Sequence, residues 1–141
     1  MRPSLSAPEI AARLRLSATR LARRLRQESN AGLSPSQQSA LAVIANHGPL
    51  TLGTLADHER VAPPTITKVV SKLECDGLVT RTPDPADRRV CRVAISPAGD
   101  ALLEESRRRK TAWLTARISQ LDADRQRRLA DALDVLDELI S

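Results

Sequence analysis

Residues 51–99 constrain the fold more than any other stretch of the chain. Two short helices are expected over residues 51–74, the second with Pro63 at its start, where a missing N–H has no helical partner to lose. Two β-type runs follow directly, residues 78–82 and 90–95, on either side of the charged tip Pro83-Asp84-Pro85-Ala86-Asp87-Arg88-Arg89. A short helix, a turn, a second helix and a basic hairpin make a winged helix-turn-helix. Its dominant physical use is to set a helix in a DNA major groove and an arginine in the neighbouring minor groove.

The rest of the chain reads as helix. Ser6, with Glu9 three residues later, forms a capping box that opens a helix to about residue 28. Ile10, Leu14, Leu21 and Leu25 fall on one stripe of it with Ala18 between, and Arg13, Arg20, Arg23, Arg24 and Arg26 occupy much of the remainder. A loop is expected at residues 29–32. Ser34 and Pro35 start a second helix that buries Leu41 and Ile44 and stops at His47-Gly48. Thr51 caps the third, with Leu52, Leu55 and Ala56 inward. The fourth runs from Pro63 to near Gly77, with Ile66, Val69, Val70 and Leu73 inward. Ser96-Pro97 begins a long helix to about residue 119, past Leu102, Leu103 and Trp113. Asp122 caps a last helix striped by Leu129, Leu133, Leu136 and Ile140.

The expected class is therefore mainly α with a small β-hairpin wing, a single domain over residues 1–141. Residues 33–99 form the winged helix-turn-helix core, and residues 6–28 and 97–141 form a helical dimerisation region. Such a core needs only about 80–100 residues, which leaves the stripes of the first and last helices with little to cover them. A second copy across a two-fold axis covers them most economically; packing on each other within one chain is the alternative.

Composition narrows the function classes. Trp113 is the only aromatic residue, so Leu, Ile, Val and Ala must fill the interior. The net charge is +5, which suits an anionic partner, and it is patterned: +5 over residues 1–30, −2 over 31–59, +3 over 60–96 and −1 thereafter. The segment expected to face DNA is positive and the helical tail is balanced. Cys75 and Cys91 lack CxxC spacing, so no disulfide framework or zinc site is indicated, and His47 and His58 add no ligand spacing. With two His, no Tyr and no Gly-rich phosphate loop or nucleophile motif, no catalytic constellation can be built and no cofactor is expected. No apolar run is long enough to span a membrane and no signal-peptide core precedes the first helix, so a cytoplasmic protein is expected.

On the second helix of the pair, Ile66, Val69, Val70 and Leu73 point inward, with Val61 as a further inner position and Ala56 at the crossing of the two helices. Thr65, Thr67, Lys68, Ser71 and Lys72 are left outward. Hydroxyls in the first turn reach base edges or phosphate oxygens, and Lys68 and Lys72, one turn apart, supply charge. Pro64 offers an apolar surface to a thymine methyl. In the tip, Asp87 can orient Arg89 beside Arg88, and an arginine in a narrow minor groove gains from the negative potential there. Arg81 and Arg92 on the strands are placed for backbone phosphates.

The run Val61-Ala62-Pro63-Pro64-Thr65-Ile66-Thr67-Lys68-Val69-Val70 resembles the MarR (multiple antibiotic resistance regulator) family. So do Leu73-Glu74, Asp76-Gly77-Leu78-Val79, Asp87-Arg88-Arg89 and Ile95-Ser96-Pro97-Ala98-Gly99. The wing signature D-x-R, followed after five residues by L-T, is met by Asp87 and Arg89, with Ile95 and Ser96 standing for the last two positions. Gly99 and Leu102 match the G-x-x-L that opens the long fifth helix. The resemblance implies a homodimeric transcription factor, usually a repressor, on a pseudo-palindromic operator in double-stranded DNA. By the same resemblance Arg89 enters the minor groove, while Pro64, Thr65, Thr67 and Lys68 approach the major groove. Two positions depart from the pattern. Ala62 stands where a Ser N-cap is usual, and Arg60 replaces the common turn glycine, where it either carries strain or serves as a phosphate contact.

The resemblance also implies a small lipophilic or phenolic effector held between the dimerisation helices and the winged core, near Leu14, Ser17, Leu41, Ala45 and Trp113. A cysteine-based redox response is a second route. A sensor needs a helix N-terminus or basic neighbours; Cys75 lies between Glu74 and Asp76, and Cys91, beside Arg92, is the better placed. The alternative functions are a sequence-tolerant architectural protein that coats DNA through phosphates and a winged helix used as a protein-interaction module.

Overall fold

Side-chain caps fix where the helices begin. In α1 (Ala7–Glu28) the Ser6 N–H donates to Glu9 Oε2 at 2.8 Å and the Glu9 N–H donates to Ser6 Oγ at 3.4 Å, a closed capping box. Ser34 and Gln37 form a second box ahead of α2 (Pro35–His47). Thr51 Oγ1 accepts from the Thr54 N–H to start α3 (Leu52–Glu59), and Asp122 accepts from the Arg125 N–H to start α6 (Ala123–Ile140). The remaining elements are β1 (Leu50–Thr51), α4 (Pro63–Cys75), β2 (Val79–Pro83), β3 (Cys91–Ile95) and α5 (Pro97–Ser119). This computed structural model describes residues 4–29 and 32–141. Of the loop expected at 29–32, Asn30 and Ala31 lie outside the described residues.

The hairpin is part of a three-stranded antiparallel sheet of order β1-β3-β2. Arg81 pairs with Val93 across it, and β1 adds Leu50 opposite Val93 and Thr51 opposite Arg92. Sequence periodicity could not announce β1, because two residues carry no period.

Contacts among the described residues divide the chain into two units, with one boundary at the end of α1 and the other inside α5. Ser29–Arg107 holds the core. Leu41 and Ile44 of α2, Leu55 of α3, Val93 of β3 and Ile66, Val70 and Leu73 of α4 are buried there. The α4 trio recurs at i, i+4 and i+7, one helical face. Val69 and Leu52, both expected fully inward, are half-buried at the core's edge. Val61, expected as an inner position, is 39% exposed, because it lies in the turn before α4 rather than on the helix.

Two glycines are required by close approach. A Cβ on Gly99 would collide with the Leu78 carbonyl oxygen and meet Ile95 Cγ1 at 2.7 Å, so only glycine lets α5 start against the hairpin. Ser96 completes that junction, donating to the Gly77 carbonyl at 2.6 Å and accepting from the Gly99 N–H. A Cβ on Gly48 would come within 2.5 Å of the Ile44 carbonyl oxygen that the Gly48 N–H itself caps.

The second unit comprises α1 with Arg108–Ser141. Neither α1 nor α6 contains a buried residue. Ile10 and Leu21 on α1 and Leu129, Leu133, Leu139 and Ile140 on α6 all stand exposed. No helix among the described residues is long and apolar enough to cross a membrane.

Candidate nucleic-acid interface

Burying Ile66, Val70 and Leu73 orients the opposite face of α4 outward. Pro63, Pro64, Thr65, Thr67, Lys68, Ser71 and Lys72 are all exposed on it. They differ in what already holds them. Lys68 has no ion-pair partner among the described residues, so its ammonium is available. The Thr67 hydroxyl donates to the Pro63 carbonyl at 3.0 Å, which leaves its lone pairs to accept. Lys72 lies 3.3 Å from Asp76 one turn on, an i,i+4 pair legible in the sequence. Ser71 accepts from Arg81 Nη2 at 3.0 Å.

The helix start has the predicted weakness. Ala62 occupies the N-cap with no side-chain hydrogen bond, and Pro63 follows at N1. Arg60 adopts φ 54°, ψ 43°, the left-handed conformation that favours glycine, and its N–H closes α3 by donating to Ala56 and Asp57 carbonyls. Its side chain is exposed beside the start of α4.

At the wing tip Asp87 Oδ1 accepts from the Arg89 N–H at 3.1 Å and from Arg89 Nε at 3.2 Å, and Nη2 lies 3.5 Å from Oδ2. The Arg89 side chain is nevertheless 92% exposed. The acid thus orients the guanidinium without covering it, and Arg88 beside it is also exposed. Behind the tip, Asp84 is covered to all but 13% and takes Arg92 Nε at 3.0 Å and the Ala86 N–H at 2.8 Å. Those two hydrogen bonds, Ala86 first, hold its carboxyl below the usual Asp value. Arg92 therefore braces the tip. Sequence reasoning missed Asp84 as the anchor, although an acid and a base flanking one hairpin tip was the available signal. Glu74 was missed as well, since nothing local joins it to Arg81, whose Nε lies 3.1 Å away.

The residues expected to meet an effector are distributed differently. Leu14 and Ser17 line an apolar groove of about 400 Å³ together with Leu21, Leu136, Leu139 and Ile140. Trp113 is half-buried with the Arg24 and Arg117 guanidiniums 5.5 and 4.9 Å from its ring centroid, cation–π contacts on the one aromatic side chain. Leu41 is fully buried in the core of the other unit. His47 and His58 stack at 4.6 Å, but no group of three potential metal ligands occurs among the described residues. Both cysteines are thiols, Cys75 exposed and Cys91 half-buried.

Comparison with known proteins agrees with this geometry. The MarR family model matches residues 33–91. An HTH-type transcriptional regulator of Mycobacterium leprae is 41% identical over 132 residues, 93% of this chain and 92% of that protein. Among solved structures, a transcriptional regulator of Thermotoga maritima is 30% identical with a TM-score of 0.80, over 93% of both chains. A MepR variant of Staphylococcus aureus bound to an oligodeoxyribonucleotide shares the fold alone, with a TM-score of 0.73 at 17% identity over 98% of this chain and 100% of that one.

Proposed function

The chain belongs to the MarR family of transcriptional regulators, and from that premise we propose a homodimeric repressor that reads a pseudo-palindromic operator and is released by a small effector. The observation that carries the DNA reading is the pairing of two exposed elements on one folded unit. One is the outer face of α4, with Pro64, Thr65, Thr67 and Lys68; the other is the Asp87-oriented Arg89 at the wing tip. α4 enters the major groove, where Thr65 accepts or donates and Thr67 accepts at base edges, and Lys68 takes a guanine or a phosphate. Arg89 enters the minor groove and gains from its negative potential. Arg60, Lys72 and Arg88 complete the basic surface around these contacts, with Pro63 and Ser71 exposed beside them, whereas Arg81 is turned back onto α4.

The apolar faces of α1 and α6 support the dimer. Large side chains at 39–83% exposure along α6 are a poor match for water, and the groove lined by Leu14, Leu136 and Leu139 adds an apolar surface of the kind that favours association. A second copy buries both and sets two recognition helices about one DNA turn apart. The effector reading rests on Trp113, whose flanking Arg117 guanidinium favours an anionic aromatic molecule, Arg24 on the ring being already paired with Glu28 at 3.2 Å. As the only tryptophan it is its own probe. Titrating phenolic carboxylates should quench its emission over the range in which they release operator DNA.

Lys68→Ala and Arg89→Ala test the DNA reading. Each should weaken operator binding by about tenfold or more, a loss of about 1–3 kcal/mol for a specific contact. Unchanged affinity in both variants would remove the assignment.

A further inference from the structure

Arg81 sits at the middle of β2, yet its side chain serves α4. Nη2 donates to Ser71 Oγ at 3.0 Å, and Nε lies 3.1 Å from Glu74 Oε2. The side chain is only 25% exposed, and the Nε–H is buried and not aimed at the carboxylate, so the tie to Glu74 is ionic and the directed bond is the one to Ser71. To reach a phosphate, Arg81 would have to abandon both partners and leave Glu74 as an unopposed acid on the recognition helix. Other elements make the tie consequential. α4 has no side-chain cap at its N-terminus, and Arg92 is committed to Asp84 behind the wing tip rather than to α4. The Arg81 link then adds a polar tie to the core packing of Ile66, Val70 and Leu73 in setting where the helix lies relative to Arg89.

We propose that Arg81 is a positioning residue rather than a DNA contact: it fastens the recognition helix to the wing through Ser71 and Glu74, so that major-groove and minor-groove contacts are made in one fixed register. This rests on the DNA reading above. Register matters only on the correct sequence, since non-specific binding through phosphates tolerates a loose helix.

The test measures full-length protein on operator and on scrambled duplex across a salt series, with melting curves showing each variant folded at the assay temperature. Arg81→Met and Glu74→Gln should each weaken operator binding by about tenfold. Binding to scrambled duplex and the slope of log affinity against log salt should stay unchanged. Exchanging the charges, Glu74→Arg with Arg81→Glu, should recover most of the loss. Three results would overturn the proposal. One is a slope reduced by about 0.9 on both duplexes with Arg81→Met, the mark of a lost phosphate contact. Another is tighter binding with Glu74→Gln, as removal of an acid beside DNA would give. The third is an exchanged pair no better than either single variant. Wild-type protein that binds both duplexes equally would instead remove the DNA reading itself.

Discussion

Arg60 and Ala62 sit two residues apart in the turn ahead of α4, and each forgoes local stability. Arg60 holds a left-handed backbone at φ 54°, which costs a non-glycine residue about 1 kcal/mol. Ala62 offers no side-chain acceptor to the Thr65 N–H, the first that α4 has after Pro63 and Pro64. Only the Ala62 carbonyl holds that N–H, at 3.0 Å, and a side-chain cap there is worth about 1 kcal/mol. Ala62→Ser should therefore raise unfolding free energy in urea by about 1 kcal/mol with operator affinity unchanged. Arg60→Gly should raise it by a similar amount. If Arg60 also contacts a phosphate, the same variant should weaken DNA binding and lower the salt slope by about 0.9. Stability gained without loss of affinity would assign it strain alone. Leu41 is a separate case. It is fully buried against Ile44 and Leu55, so Leu41→Ala should cost about 3 kcal/mol of stability, a packing loss distinct from any change in ligand binding.

The elements differ in how much of them could be read from residues alone. Helix starts were legible at Ser6, Ser34, Thr51 and Asp122, because capping chemistry is local to three residues. The three α4 positions that face the core were legible from their helical period. β1 was not, and neither was the choice that Arg81 and Arg92 make between a phosphate and a carboxylate. Glu74 becomes the partner of Arg81 only after the hairpin has folded back onto α4, a tertiary event with no local trace, whereas Asp84 and Arg92 flank one tip and carry a weak local signal. The wing has a pH signature of its own. Asp84 has a lower pKa in the folded state than in the unfolded chain, through Ala86 and Arg92. Such a group stabilises the fold above its unfolded value, about 3.9 for Asp, and that contribution is lost as pH falls through the folded value. The wing should be intact at neutral and mildly acidic pH and loosen only in the acid range below that. The Asp84 carboxyl chemical shift should titrate with a midpoint under about 3.9, and a midpoint above that would contradict the brace.

At the scale of the whole molecule, one winged unit supplies one recognition helix, and a pseudo-palindromic site needs two. The exposed faces of α1 and α6 are the surface from which a dimer can be built. Leu136→Asp with Leu139→Asp should convert a dimer into a monomer by sedimentation. Operator affinity should fall with it by about 100-fold, because the second half-site no longer binds as part of one molecule. A monomeric wild type would remove that link. Sequence-specific reading by the winged unit is tested by one titration. Fluorescence anisotropy of labelled DNA from upstream of the protein's own gene is compared with a scrambled duplex of equal length, at two salt concentrations. A preference of about 1000-fold or more for the native sequence is expected; equal, steeply salt-dependent binding to both duplexes would rule out sequence-specific reading.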